Sequence, residues 1–298
     1  MGINRLKQTI CWLVASVITI FAVTGCSSQL AYRFADTAIE WEIDNYVDLD
    51  NAQEQRLSQR IDGLHLWHAQ VELPKYQQQL QQLRNDLAND NIDQQRVATV
   101  YEQLWQFWHN IQQRVYPEAL LLLPQLTTEQ RQQLLTNLQE KLDERREKHQ
   151  QRAQQSVAER RSEQIDEQED RLRDWLGYLT DQQRQLVADN VSQRVSDTTL
   201  WLAYRQRWLD EFASTLQAGS EQPDFAERLR LLLTDPAQLR SAQLNEAMQQ
   251  QRQQQIAFYL SLYQSMSERQ RQHVLAKADD YLIPVSYTHL TLPTIYSV

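Results

Sequence analysis

The pattern that most constrains this chain is a helix start written four times. Leu49-Asp50-x-x-Gln53, Leu126-Thr127-x-x-Gln130, Leu179-Thr180-x-x-Gln183 and Met266-Ser267-x-x-Gln270 each set an apolar residue before an N-capping side chain, with a glutamine three positions after the cap. The cap oxygen can accept an amide that the first helical turn leaves unpaired, and the glutamine can reach back to the N–H of the cap. The apolar residue then packs over that turn. A second apolar residue follows in each copy, at Leu57, Leu134, Val187 and Val274. Gln, Leu, Arg and Glu predominate from Gln53 onward, and the chain of 298 residues has only 5 glycines. These residues suit helices and impose no β-branching. The expected fold is all-α: an irregular, elongated helical bundle with long, partly solvent-exposed helices. Uneven separation of the four copies argues against a regular solenoid and allows duplicated helical hairpins.

Apolar spacing places the helices. Leu57, Ile61, Leu64 and Trp67 recur at helical intervals, as do Leu80, Leu83 and Leu87. Between the two groups, Pro74 is expected to bend one helix or separate two. Val97, Val100, Tyr101, Leu104, Trp105, Trp108 and Val115 form the richest stripe, which is expected to lie at the centre of the core, with Pro117 inviting another bend. Residues 140–173 are dominated by mixed charge and glutamine. This run is expected to form a long, solvated helical arm supported by side-chain pairs; a coiled coil is the lesser alternative because a sustained a/d pattern is missing. Gly219-Ser220-Glu221-Gln222-Pro223 reads as a flexible connection. Ile256, Phe258, Tyr259, Leu260, Leu262 and Tyr263 supply the last packing segment.

Composition narrows the chemistry. A net charge of −9 disfavours nucleic acid as a partner, because phosphate backbones are held by concentrated positive charge. His65, His68 and Glu72 share one helical side, but lack the arrangement of a zinc protease, and Leu64 and Trp67 beside them favour packing. No metal is therefore assigned. Glu40, Asp44 and Asp48 lie four apart, and solvent exposure or ion pairing with Arg33 and Arg56 is the expected reading. Glycosidase chemistry would need two carboxylates held across a cleft. With no phosphate-binding glycine loop and no recognisable triad framework, no catalytic residue and no cofactor are assigned.

The leader is more specific. Arg5 and Lys7 precede an apolar run from Ile10 to Val23, and the run ends in Val23-Thr24-Gly25-Cys26. This constellation resembles a bacterial lipoprotein signal. The resemblance implies cleavage before Cys26, with covalent diacylglyceryl and N-acyl modification of that residue. Val23, Thr24 and Gly25 would be read by the processing machinery. Residues 1–25 are then a signal peptide and 26–284 a helical envelope domain, with two subdomains allowed. Cys11 and Cys26 are the only cysteines, so the processed chain would hold no disulfide and no thiolate nucleophile. Ser27 stands where aspartate would favour inner-membrane retention in familiar enterobacterial sorting. By that resemblance the protein is expected in a Gram-negative envelope, on the periplasmic face of the outer membrane. Its implied partners are the lipoprotein processing and sorting machinery and the membrane. Residues 285–298 abandon the helical grammar and read as a translated sequencing adaptor.

The stretch from Leu30 to Asp36, followed by Trp41-Glu42-Ile43-Asp44-Asn45-Tyr46-Val47-Asp48-Leu49, resembles the amino-terminal signature of an uncharacterised family of bacterial envelope lipoproteins, the domain of unknown function 6279 type. The likeness continues through Trp67-His68 and Glu72-Leu73-Pro74-Lys75-Tyr76, and more loosely to Leu282. It implies a helical lipoprotein and supplies no reaction. Trp41, Asp44, Tyr46, Leu49, Trp67, His68 and Pro74 are its candidates for an interaction or structural motif. The two Leu-Thr-x-x-Gln copies also resemble a motif of small periplasmic stress chaperones, although helix capping alone generates the same pattern. The leading expectation is a noncatalytic, lipid-anchored periplasmic protein that mediates interactions with an unidentified envelope protein. A tethered chaperone holding clients on helical surfaces is one alternative, and an uncharacterised envelope hydrolase is another.

Overall fold

The computed structural model describes residue 32 and residues 34–194 and 197–291, with side chains through residue 282. Helices follow one another as α1 (Ala35–Asp44), α2 (Asn51–Trp67), a π-helical turn (His68–Glu72), α3 (Leu73–Ala88), α4 (Gln94–Leu122), α5 (Thr128–Gln154), α6 (Val157–Leu176), α7 (Asp181–Gln193), α8 (Thr198–Ala218), α9 (Phe225–Thr234), α10 (Ala242–Gln264) and α11 (Glu268–Thr291). Short 3-10 turns occupy Leu123–Gln125 and Pro236–Leu239, and the described residues contain no strand. The fold is all-α.

All four repeated starts form complete capping boxes. Asp50, Thr127 and Thr180 each accept from the backbone N–H of the third helical residue, while Gln53, Gln130 and Gln183 accept from the backbone N–H of the cap. At α11, Gln270 Oε1 accepts from the Ser267 N–H at 3.0 Å, and the Gln270 N–H donates to Ser267 Oγ at 3.3 Å. Each box satisfies amides that a helix start leaves unpaired.

Two compact units divide the chain. The first takes the described parts of Met1–Asp44, Leu49–Leu83 and Ala278–Val298. Within it, α1 packs on α2, and Tyr32, Ala69 and Leu73 form a small core with Tyr76 against it. Pro74 does not end the helix, because helical structure runs without a break from α2 through the π-helical turn into α3. A prolyl ring in a regular helix would collide with the carbonyl four residues back and would leave it without a donor. Here the chain widens just before the ring, and the Leu73 N–H reaches back five residues to the His68 carbonyl.

The second unit takes Asn45–Asp48 and Arg84–Lys277. Leu135 and Leu142 of α5 pack with Leu202, Leu209, Phe212 and Leu216 of α8 and with Phe225, Leu229 and Leu232 at α9. A second cluster joins Leu176 and Leu179 to Val187 and Val191 of α7, Phe258 and Leu262 of α10, and Val274 of α11. The aromatic stripe expected at the centre of the core is absent from both clusters. Leu104, Trp105 and Val115 are exposed, and Val97, Val100, Tyr101 and Trp108 are only half-buried. Only the later part of α4, through Tyr116, Ala119 and Leu120, packs against the first cluster. The facing run of α10 explains the difference: Gln249 to Gln255 offers glutamine and arginine, and no apolar side chain able to cover the rings.

The charged run at 140–173 is also subdivided. Ser156 and Glu159 make a fifth capping box that starts α6, while the Arg160 guanidinium donates to the Arg152, Ala153 and Gln155 carbonyls at the end of α5. A cation at that helix terminus satisfies carbonyls that have no partner within the helix. Val157 at this turn is 63% exposed, whereas Leu142 and Leu176 at the two roots are buried.

Candidate functional site

Two places gather functional side chains, one in each unit. The first is the π-helical turn. Widening the helix before Pro74 puts His68 beside Tyr32, whose hydroxyl lies 3.1 Å from His68 Nδ1 and 3.4 Å from the His65 carbonyl. The Tyr76 ring meets His68 edge-on at 5.5 Å, and Trp67 does so at 6.4 Å. Burial pushes the His68 imidazole down to about 4, against the opposing influence of Glu72, so the ring is neutral at neutral pH. Burial likewise raises the Tyr32 and Tyr76 hydroxyls above the ordinary phenol range. The buried Glu72 carboxylate accepts from Lys75 Nζ at 2.6 Å. His65 Nδ1 lies 3.8 Å from Asp36 Oδ2, and its Nε2 is buried with no hydrogen-bond partner among the described residues. His65, His68 and Glu72 thus point to different partners, and no group of three ligating residues among the described residues is placed to hold a metal ion. Neutral imidazole and protonated phenols, packed ring against ring, make a polar knot that fixes the π turn.

The second place is a groove of about 550 Å³ in the other unit, lined by Tyr101, Glu102, Trp105, Gln106 and His109 of α4 and by Met248, Gln249 and Arg252 of α10. Spacing of four brings Tyr101, Trp105 and His109 to one face of α4, with the first two rings 6.4 Å apart. Arg252 closes the floor. Its guanidinium donates to Glu102 Oε1 at 2.5 Å and sits 5.5 Å from the Tyr101 ring centre. Trp105 remains 45% exposed, and Leu104 beside it is exposed too. The groove offers broad apolar faces, one fixed ion pair and several amides. Such a lining recognises shape and hydrogen bonds.

The candidate residues read from the sequence divide among these places. Trp67, His68 and Pro74 meet at the π turn. Trp41 and Asp44 are exposed on α1, and Leu49 is half-buried ahead of α2. Tyr46 is buried, and its carbonyl accepts from Asn137 Nδ2 at 2.9 Å. Val23, Thr24, Gly25, Cys26 and Arg33 lie outside the described residues. Glu40, Asp44 and Asp48 do not share a helical face, because α1 ends at Asp44. Beyond that end, Asp48 is gripped by α5: Gln130 Nε2 donates to its carbonyl and Gln133 Nε2 to its carboxylate, both at 2.8 Å. Glu102, His109, Met248 and Arg252 carried no signal of their own. The clue lay in pairing an aromatic stripe with a glutamine-rich helix.

Fold and sites together define an all-helical protein with an open aromatic groove between α4 and α10. The chain belongs to DUF6279, a family of unknown function whose profile matches residues 45–245. Comparison with curated proteins and with solved structures gives no match. Among the described residues, no helix is long and apolar enough to cross a membrane.

Proposed function

We propose that this chain is a noncatalytic envelope protein, lipid-anchored through Cys26 on the periplasmic face of the outer membrane, that holds another envelope protein in the groove between α4 and α10. The observation that carries the reading is the groove itself, where the exposed Trp105 ring and the Arg252–Glu102 pair stand side by side. Aromatic rings and arginine supply most of the energy at protein interfaces, because they desolvate well and are held with little loss of freedom. The tethered-chaperone alternative draws no support from its Leu-Thr-x-x-Gln motif, since Leu126 and Leu179 are buried and both glutamines are engaged in capping.

A photoreactive residue at position 106, in cells, is expected to give a discrete protein adduct that weakens when Arg252→Ala is added. Equal adducts from position 106 and from position 157 at the α5–α6 turn would overturn the groove assignment. The anchor is tested separately. Metabolic acyl label should be present in the wild type and lost in Cys26→Ala, which should then fractionate with soluble periplasmic protein.

A further inference from the structure

The outward face of α1 carries two large apolar side chains. Phe34, Ala38 and Trp41 are spaced by four and then three residues, and the Ala38 N–H donates to the Phe34 carbonyl at 3.0 Å, so Phe34 keeps the helical register. Phe34 is 58% exposed, Trp41 is 65% exposed, and Ala38 between them is exposed. The opposite side of α1 is occupied: Asp36 reaches toward His65, Ala35 and Ile43 are half-buried, and the helix packs on α2. Phe34 and Trp41 each leave more than half of their surface exposed on one stripe, an apolar face open to a covering surface.

We infer that this surface is the bilayer. The inference rests on the tether proposed above and adds a second, weaker membrane contact to it. Tyr32 is pinned at 5% exposure against Ala69 and Leu73, and only six peptide steps separate it from Cys26. Fully extended, that span reaches about 20 Å, less than the roughly 30 Å thickness of a hydrocarbon core. A chain acylated at Cys26 therefore holds the Phe34–Trp41 stripe within a short radius of the headgroups. There, tryptophan and phenylalanine gain by entering the interface, with the indole N–H still hydrated.

The test uses the full lipidated chain on vesicles of phosphatidylethanolamine and phosphatidylcholine. Ala38→Cys carries a polarity-sensitive fluorophore, and Val157→Cys serves as the reference position. The probe at 38 is expected to be blue-shifted and quenched by lipids spin-labelled near the headgroup, with the probe at 157 water-like. Phe34→Glu with Trp41→Glu should return the probe at 38 to a water-like spectrum while the protein still floats with the vesicles. A water-like spectrum at 38 in acylated, floating wild type would overturn the contact and leave the tether standing. A blue shift without lipid quenching would also overturn it, because protein then covers the face. Absence of acyl label at Cys26 would remove the tether and the contact together.

Discussion

Gln183 and Gln270 face each other with both carboxamides fully buried, and they exchange two hydrogen bonds, from Gln183 Nε2 to Gln270 Oε1 at 3.1 Å and from Gln270 Nε2 to Gln183 Oε1 at 2.8 Å. Each oxygen also accepts from the N–H of its own cap. The remaining donors cross over, Gln183 to the Ser265 carbonyl and Gln270 to the Tyr178 carbonyl, each two residues ahead of the other's cap. Two helix starts are thereby locked together, and no donor or acceptor of either side chain is wasted. Gln130 repeats one half of this arrangement, donating to the Asp48 carbonyl two residues ahead of Asp50. Gln130, Gln183 and Gln270 therefore do more than cap their own helices, since each also donates across to the chain just ahead of another helix start.

Replacing Gln183 by Ala removes one limb of a cap and leaves buried polar groups of α11 without their partner. The expected loss is about 2–4 kcal/mol of unfolding free energy, combining the cap with the desolvation of unpaired groups. Gln183→Ala with Gln270→Ala should cost less than the sum of the single variants by about 1 kcal/mol, the signature of two groups acting as one. Urea unfolding of the four proteins of the cycle measures this, and strict additivity would contradict the coupling.

Two glycines should respond with opposite sign. Gly177 ends α6 at a φ of +79°, where a Cβ would meet the His273 ring at an ordinary 3.5 Å, so backbone strain and not crowding decides. Gly177→Ala should cost about 1 kcal/mol. Gly63 lies inside α2, where an added Cβ would meet nothing within 4 Å. Gly63→Ala should stabilise by about 0.5–1 kcal/mol through helix propensity. Thermal unfolding of both variants checks the pair.

The knot at the π turn should give the protein an acid-sensitive step. His68 titrates at about 4 in the folded chain against an ordinary 6.5, so the unfolded chain binds the proton first as the pH falls. Stability is full above pH 6.5 and declines as the pH drops from 6.5 to about 4. The slope is at most about 1.4 kcal/mol per pH unit, since a single proton is involved. Urea unfolding across this window should show that slope for the wild type, with the step diminished in His68→Gln, whose amide cannot titrate there.

Helix identity was legible wherever sequence chemistry is local. Asp50, Thr127, Thr180 and Ser267 start helices for reasons contained within four residues of each. The burial of the α4 stripe was not legible, because it depends on what faces it, and the run from Gln249 to Gln255 lies well over a hundred residues downstream. Pro74 was visible as a disturbance, but its accommodation in a widened turn depends on Tyr32 and Tyr76 packing on His68 from either side. Ser156 with Glu159 is a start signal that the surrounding charge concealed. Periodicity reports that a side chain shares a face with others; only the partner element determines whether that face is covered.

Trp105 and Arg252 sit where their loss should touch binding far more than folding. Trp105 is 45% exposed, and Arg252 pairs with an exposed Glu102. Trp105→Ala is expected to lower unfolding free energy by about 1 kcal/mol or less, while cutting the yield of the partner adduct formed from a photoreactive residue at position 106 by about tenfold, as for a central aromatic contact worth about 1–2 kcal/mol. Arg252→Ala should act in the same direction by freeing Glu102 and uncovering Tyr101, and Arg252→Lys should restore little, since an ammonium keeps the charge but not the flat stack on the ring. Adduct yield and urea midpoint measured on the same variants separate the two roles. A large drop in midpoint with unchanged adduct yield would make Trp105 a packing residue and leave the groove without its anchor.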